Sequence, residues 1–159
     1  MAGVEYRQHR HADPVFSIDL PDGTEIAETP GMVLTARRPE QDSSSPFRSN
    51  LTVVAQVLPE GGGADLRLAA PAFPHWRVID REEEVPVSGV PATRTLATYR
   101  VARDSGVDFG RTLSVTVEQW HLLAGGHQWI VSASCETPEY GLVGETWAQS
   151  AASLSVGDR

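Results

Sequence analysis

The chain has 159 residues, enough for one domain of ordinary size with its own core, and its single cysteine, Cys135, excludes an internal disulfide. A net charge of −8 disfavours phosphate backbones and anionic membrane surfaces, so neither a nucleic acid nor a membrane is expected as partner. All thirteen cations are arginines; they are scattered without a basic stripe, and the absence of lysine is what a GC-rich bacterial genome, such as an actinobacterial one, would give.

Residues 1–13 are polar, carry His9-Arg10-His11, and read as a flexible N-terminal arm ahead of a single domain over 14–159. Residues 1–6 hold neither an apolar run nor a cleavage site, so no signal peptide is expected and the chain reads as cytoplasmic. Val15 to Leu20 alternates as a first strand, and Pro21-Asp22-Gly23 ends it. Met32 to Ala36 is a second β-prone run. Glu40 to Pro46, with three successive serines, is a polar loop.

Leu51 to Leu58 predicts a strong strand, stopped by Pro59-Glu60-Gly61-Gly62-Gly63. Ala64 to Ala70 has helical composition, kept short by Pro71 and Pro74. Trp76 to Ile79 opens another strand. Arg81 to Val87 is charged and holds Pro86, which suits an exposed edge or a loop rather than a central strand. Ala92 to Ala102, Arg111 to Leu123 and Gln128 to Cys135 are three long β segments, the last two joined by the tight hairpin signal Gly125-Gly126. Leu142 to Leu154 predicts a closing helix, with Leu142, Val143, Trp147, Ala151 and Leu154 near one face. Together these elements predict an α+β fold. Its centre is a single, mostly antiparallel sheet of about six or seven strands, flanked by helices that include a C-terminal amphipathic one.

Alternation divides each long strand between two faces. One set holds Leu51, Val53, Ala97, Tyr99, Val115, Val117, Trp129, Val131 and Cys135, and the C-terminal helix is its natural cover. The other holds Thr52, Gln56, Arg94, Arg100, Thr116, Glu118, Trp120 and Ser132. It reads either as a solvated sheet face or as a recognition surface, with Trp120 as aromatic anchor beside Arg100 and Glu118. Gln56, Arg94, Arg100, Thr116, Glu118, Trp120 and Ser132 are the candidate partner-binding residues. A slip of one residue would exchange the faces of a strand.

No constellation in the sequence specifies catalysis. Cys135 shares its face with Val131 and Ala133, where an apolar setting raises a thiol's pKa and makes it inert. His9 and His11 have the spacing of two ligands on an extended chain, but a zinc site needs three or four and no Cys pair or HExxH helix supplies the rest. His121 and His127 flank the hairpin and offer only a weak metal alternative. There is no GxSxG, and Gly61-Gly62-Gly63 lacks the Lys-Ser/Thr of a P-loop. Glu82-Glu83-Glu84 reads as a solvated run. Neither an enzyme nor a cofactor or metal site is expected.

The element order carries a resemblance. A first strand ends at Leu20-Pro21. Phe47-Arg48-Ser49-Asn50-Leu51-Thr52-Val53 opens a central strand. Gly89-Val90-Pro91-Ala92 leads into a long meander, and an amphipathic helix closes the chain. Over residues 14–156 this resembles the PsbP-like superfamily, which includes the Ran-binding Mog proteins, photosystem PsbP, DcrB-type proteins and actinobacterial LpqN-type lipoproteins. The resemblance rests on pattern rather than on a sharp motif. It implies an antiparallel sheet flanked by helices and non-catalytic duty as a binding, accessory or secretion-chaperone module with a protein partner, such as a secreted protein. It also implies that Phe47 packs and Asn50 fixes the loop. The chain departs from the LpqN type in showing no lipobox or signal, and from the Eag secretion chaperones in lacking their opening motif. The alternative reading is a small-molecule carrier whose apolar pocket lies between sheet and helix, lined by Trp129, Trp147 and Tyr99. An isologous homodimer through the exposed sheet face is a further expectation.

Overall fold

A computed structural model of the protein describes residues 3–42, 47–58, 75–102 and 112–157. The helix expected over 64–70, the Gly61-Gly62-Gly63 loop and the serine run at 43–45 lie outside the described residues.

Strands β1 (Tyr6–Ala12) and β2 (Val15–Pro21) form an antiparallel hairpin across Asp13 and Pro14, in unbroken register from Ala12 opposite Val15 to Tyr6 opposite Pro21. The segment expected as a loose arm is therefore a strand over residues 6–12. β2 buries Phe16, Ile18 and Leu20, and its backbone groups need partners on either side. β1 satisfies one side although it has almost no apolar side chains of its own.

Strands β3 (Glu25–Ala27), β4 (Leu34–Arg37), β5 (Asn50–Val57), β6 (Arg77–Val87), β7 (Val90–Ala102), β8 (Thr112–Ala124) and β9 (His127–Glu136) build a seven-stranded antiparallel sheet in the order β3-β4-β5-β9-β8-β7-β6. Helix α1 (Tyr140–Ala152) follows, and β10 (Ser155–Val156) returns to pair with β2, completing a small sheet in the order β1-β2-β10. The fold is α+β. The small sheet and α1 together cover one face of the large sheet, with α1 packed on β9 and β2.

The main core lies between these layers. Phe16, Ile18 and Leu20 of β2 meet Leu51 and Val53 of β5, Trp129 and Val131 of β9, and Val143, Trp147 and Ala151 of α1. Phe16 meets the Trp129 indole edge-to-face at 5.4 Å. Val143, Trp147 and Ala151 follow one another at four-residue spacing and make the buried stripe of α1. Leu142, expected on that stripe, is instead 69% exposed, because it sits one residue before the stripe and about 100° around the helix.

One hairpin decides which side chains share a face. Gly125 and Gly126 both have positive φ, 59° and 75°, and form a two-residue turn that fixes Ala124 opposite His127. That register sets Trp120 opposite Val131 and Leu122 opposite Trp129, while Val117 falls opposite Ser134. Even-numbered residues of β8 therefore share the helix-covered face with odd-numbered residues of β9. The expected grouping of Val115 and Val117 with Trp129 and Val131 is displaced by one residue. β7 follows β8, with Arg94 opposite Trp120 and Tyr99 opposite Val115. Ala97, Tyr99, Val115 and Val117 thus form a second, smaller core on the opposite face of the sheet, where Phe47 and Trp76 pack against them. Trp76 stacks on Tyr99 at 6.4 Å.

Candidate binding site

The register divides the nominated recognition surface. Gln56 and Ser132 lie on the outer face, whereas Arg94, Arg100, Thr116, Glu118 and Trp120 belong to the face carrying α1. Trp120 is 3% exposed, between Arg94 and Val131 in the main core. It is a packing residue, not an accessible anchor. Thr116 and Glu118 are buried as well, and only Gln56 and Arg100 are exposed, on opposite faces. The outer face is not a plain solvated surface either: Gln119, Gln128 and Ile130 are buried there. Two polar pairs bond across it, Gln119 Nε2 donating to Ser132 Oγ at 3.1 Å and Gln128 Nε2 to Gln56 Oε1 at 2.6 Å.

Glu118 is the centre of a charged cluster beneath the start of α1. Arg94 Nε donates to Glu118 Oε2 at 2.8 Å, and Tyr140 donates its hydroxyl proton to Glu118 Oε1 at 2.5 Å. Arg94 Nη1 also lies 3.4 Å from Asp80 and 3.5 Å from Glu82 on β6. Burial opposes the Arg94 charge, but the hydrogen bond to Glu118 and its negative charge outweigh that and hold the guanidinium's pKa above its ordinary value. Burial pushes the Tyr140 hydroxyl up to about 12, helped by its bond to Glu118 and by that carboxylate's charge. The cluster ties β6, β7 and β8 to the helix.

The sulfur of Cys135 sits in the main core, where burial, followed by the charges of Glu139, Glu118 and Glu136, pushes its thiol up to about 12. A thiol so placed stays protonated and does not act as a nucleophile. His121 and His127 point to opposite faces of the sheet and do not meet. His127 lies against Trp129, and its Nδ1–H donates to Gly125 O at 3.0 Å. Phe47 packs against the second core, and Asn50 Nδ2 donates to Arg48 O at 3.1 Å. The exposed run Glu82-Glu83-Glu84 belongs to β6, an edge strand interrupted by register shifts on either side of Arg81.

A cleft lies elsewhere, between β1, an edge strand among the described residues, and the loop and strand around β3. This cleft has a volume of about 770 Å³. His9 and His11 wall one side; Ile26, Glu28, Met32 and Leu34 wall the other. Both imidazoles project on the side of β1 that also carries its partners Ile18 and Phe16, because residues directly opposite share a face. His11 stacks on Phe16 at 4.9 Å and donates its Nδ1–H to Pro14 O at 2.9 Å. Burial, and then the charge of His11, lower the pKa of His9. Ile26 and Met32 remain 50% and 38% exposed at the mouth. A shorter hollow of about 220 Å³ continues the cleft along β1 past His9 and Ile26 towards Arg7 and Gly23. Sequence reasoning missed this site because it left residues 1–13 unstructured. The signal was present in the two-residue spacer Asp13-Pro14 ahead of a strong strand. Among the described residues, no group of three or more histidine, cysteine or acidic side chains is placed to hold a metal, and no helix is long and apolar enough to cross a membrane.

No family model matches the chain, and no curated protein matches it. Solved structures do. Cyanobacterial PsbP (CyanoP) from Synechocystis sp. PCC 6803 is 16% identical, with a TM-score of 0.58 over 98% of this chain and 95% of its own. LpqN, involved in cell envelope biogenesis of Mycobacterium tuberculosis, is 11% identical, with a TM-score of 0.61 over 99% of this chain and 93% of its own. The Ran-binding protein Mog1p of Saccharomyces cerevisiae is 13% identical, with a TM-score of 0.61 over 98% of this chain and 97% of its own. The likeness to these three runs along almost the whole length of each chain, so the chain has the Mog1/PsbP-like fold.

Proposed function

We propose that this protein is a non-catalytic accessory module that binds a protein partner. The observation that carries this reading is the cleft along β1: a strand edge with no further strand beside it among the described residues, next to exposed Ile26 and Met32. Exposed apolar side chains at the mouth of a groove are a common mark of recognition sites. The fold supports the reading, since Mog1p, which shares it, is by name a Ran-binding protein. The test is affinity capture from the source organism's lysate with wild-type and Ile26→Asp baits, read by quantitative mass spectrometry. A partner held by the wild type and lost by the folded variant is the expected result. The absence of any partner enriched by the wild type would overturn the reading.

A second reading has its own observation. A hollow of about 350 Å³ lies between α1 and the turns after β2 and β4, lined by Leu142, Val143 and Trp147 beside Arg38. Trp147 is 3% exposed and its Nε1 has no hydrogen-bond partner among the described residues. This suits a small apolar ligand with one acceptor group, and its site differs from the expected one. Trp129 is fully packed in the core and Tyr99 lies on the other face of the sheet, so the three residues line no common pocket. A compound that co-purifies and survives dialysis would favour this reading over the first.

A further inference from the structure

We infer that the occupant of the β1 cleft is an extended segment of an acidic partner, added as a strand to the free edge of β1, with alternate residues apolar and acidic. The inference rests on the protein-binding reading above and specifies its partner and its geometry.

The backbone argues for a strand. β1 is seven residues long, pairs with β2 without a register shift, and among the described residues has no strand on its other side. An unblunted edge of that kind presents a row of unpaired N–H and C=O groups, which is the template used in strand addition. The other long open edge, β6, is protected against the same event. It has two register shifts, Pro86, a positive φ of 58° at Glu84 and a run of acids. β3, the remaining edge of the large sheet, is only three residues long.

The side chains argue for the pattern. On an added strand, alternate residues fall beside the inner row of β1, which holds His9 and His11, and beside the outer row, which holds Gln8 and Arg10. Inward residues enter the cleft against Ile26 and Met32, and these want apolar groups. Outward residues meet Arg10, which is exposed and bonds only the neutral Gln8 Oε1. β1 carries two arginines and no acid in a chain whose net charge is −8, so its edge is a local cationic strip on an acidic protein. Arg7 is answered by Asp22 at 3.0 Å; Arg10 has no carboxylate partner among the described residues. A glutamate or aspartate on the incoming strand supplies one.

The test uses fluorescence anisotropy with a labelled synthetic peptide that alternates valine and glutamate. Its controls are the valine–lysine counterpart and a valine–glutamate peptide N-methylated on alternate residues so that its edge-facing amides cannot donate. Wild type is expected to bind the first peptide about tenfold more tightly than the lysine counterpart and to lose the N-methylated one. Arg10→Glu is expected to reverse the charge preference, and Ile26→Asp to weaken both peptides, with thermal melts confirming that each variant is folded. Equal affinity for the two charge patterns, unchanged binding by Arg10→Glu, or no binding of the valine–glutamate peptide would overturn the inference. The two readings fail separately. A lysate partner retained by both Arg10→Glu and Ile26→Asp removes the β1 edge but leaves a binding module; a wild type that captures nothing removes the module itself.

Discussion

Tyr140 donates its hydroxyl proton to Glu118 Oε1 at 2.5 Å, and through that bond the first turn of α1 is fastened to the middle of β8. Arg94 holds the other carboxylate oxygen at 2.8 Å, so a buried acid is shared between a helix and a neighbouring strand. Removing one member of such a set strands a charge in the interior. Arg94→Met should lower the unfolding free energy by about 3 kcal/mol, and Tyr140→Phe by about 1 kcal/mol. Urea denaturation of each variant gives the measurement. An Arg94→Met protein as stable as wild type would remove the Arg94–Glu118 pair from the account of stability.

Gly144 permits that fastening. A Cβ at residue 144 would stand 2.8 Å from Tyr140 Cε2, so the ring lies across the bare backbone one helical turn on. In an unobstructed helix, glycine to alanine gains about 1 kcal/mol. Here the ring is held at its far end by Glu118 and has no cheap way to retreat. Gly144→Ala is therefore expected to destabilise the wild type and to stabilise a Tyr140→Ala background, a reversal of sign that a double-mutant cycle reads directly. The same sign in both backgrounds would remove the contact from the account.

Acid should weaken the fold before the carboxylates titrate. Burial, and then the charge of His11, lower the pKa of His9. At His121, burial lowers it most, a hydrogen bond with Gln128 offsets part of this, and the Arg81 charge lowers it further. For both rings the folded state binds a proton less readily than the unfolded chain. Their contribution is complete above the unfolded value of 6.5 and is lost as the pH falls below it, because the unfolded state then holds more protons. Urea midpoints should fall between about pH 7.5 and about pH 5.5, and His9→Gln with His121→Gln should flatten that slope. A midpoint that rises on acidification would contradict the assigned directions.

The strands of the meander, the edge character of β6 and the closing helix were legible because each depends on local rules: alternation, a proline where a ladder bond is missing, and apolar spacing. What failed was the relation between elements. Val115 and Val117 do alternate with polar residues, but the Gly125-Gly126 turn fixes β8 one residue out of the expected phase with β9. Their apolar row therefore faces Phe47 and Trp76 rather than α1. A two-residue turn places its flanking residues directly opposite one another, so the correct parity could have been counted from Ala124 and His127. β1 failed for a different reason. Its side chains say little, and its conformation is imposed by the open edge of β2, a neighbour's requirement that no composition records. Trp120 passed from nominated anchor to core residue through the same parity error, and the Glu118 cluster went with it.

Six consecutive residues of β8, Val115 to Trp120, are buried. An ordinary amphipathic strand has every second position free to drift towards charge; this stretch has none, because each of its two phases answers to a different core. At mid-sheet the molecule consequently has little flat surface to lend to a partner. The proposed recognition therefore falls to the margins, where, among the described residues, the β1 edge runs its full length without a bulge.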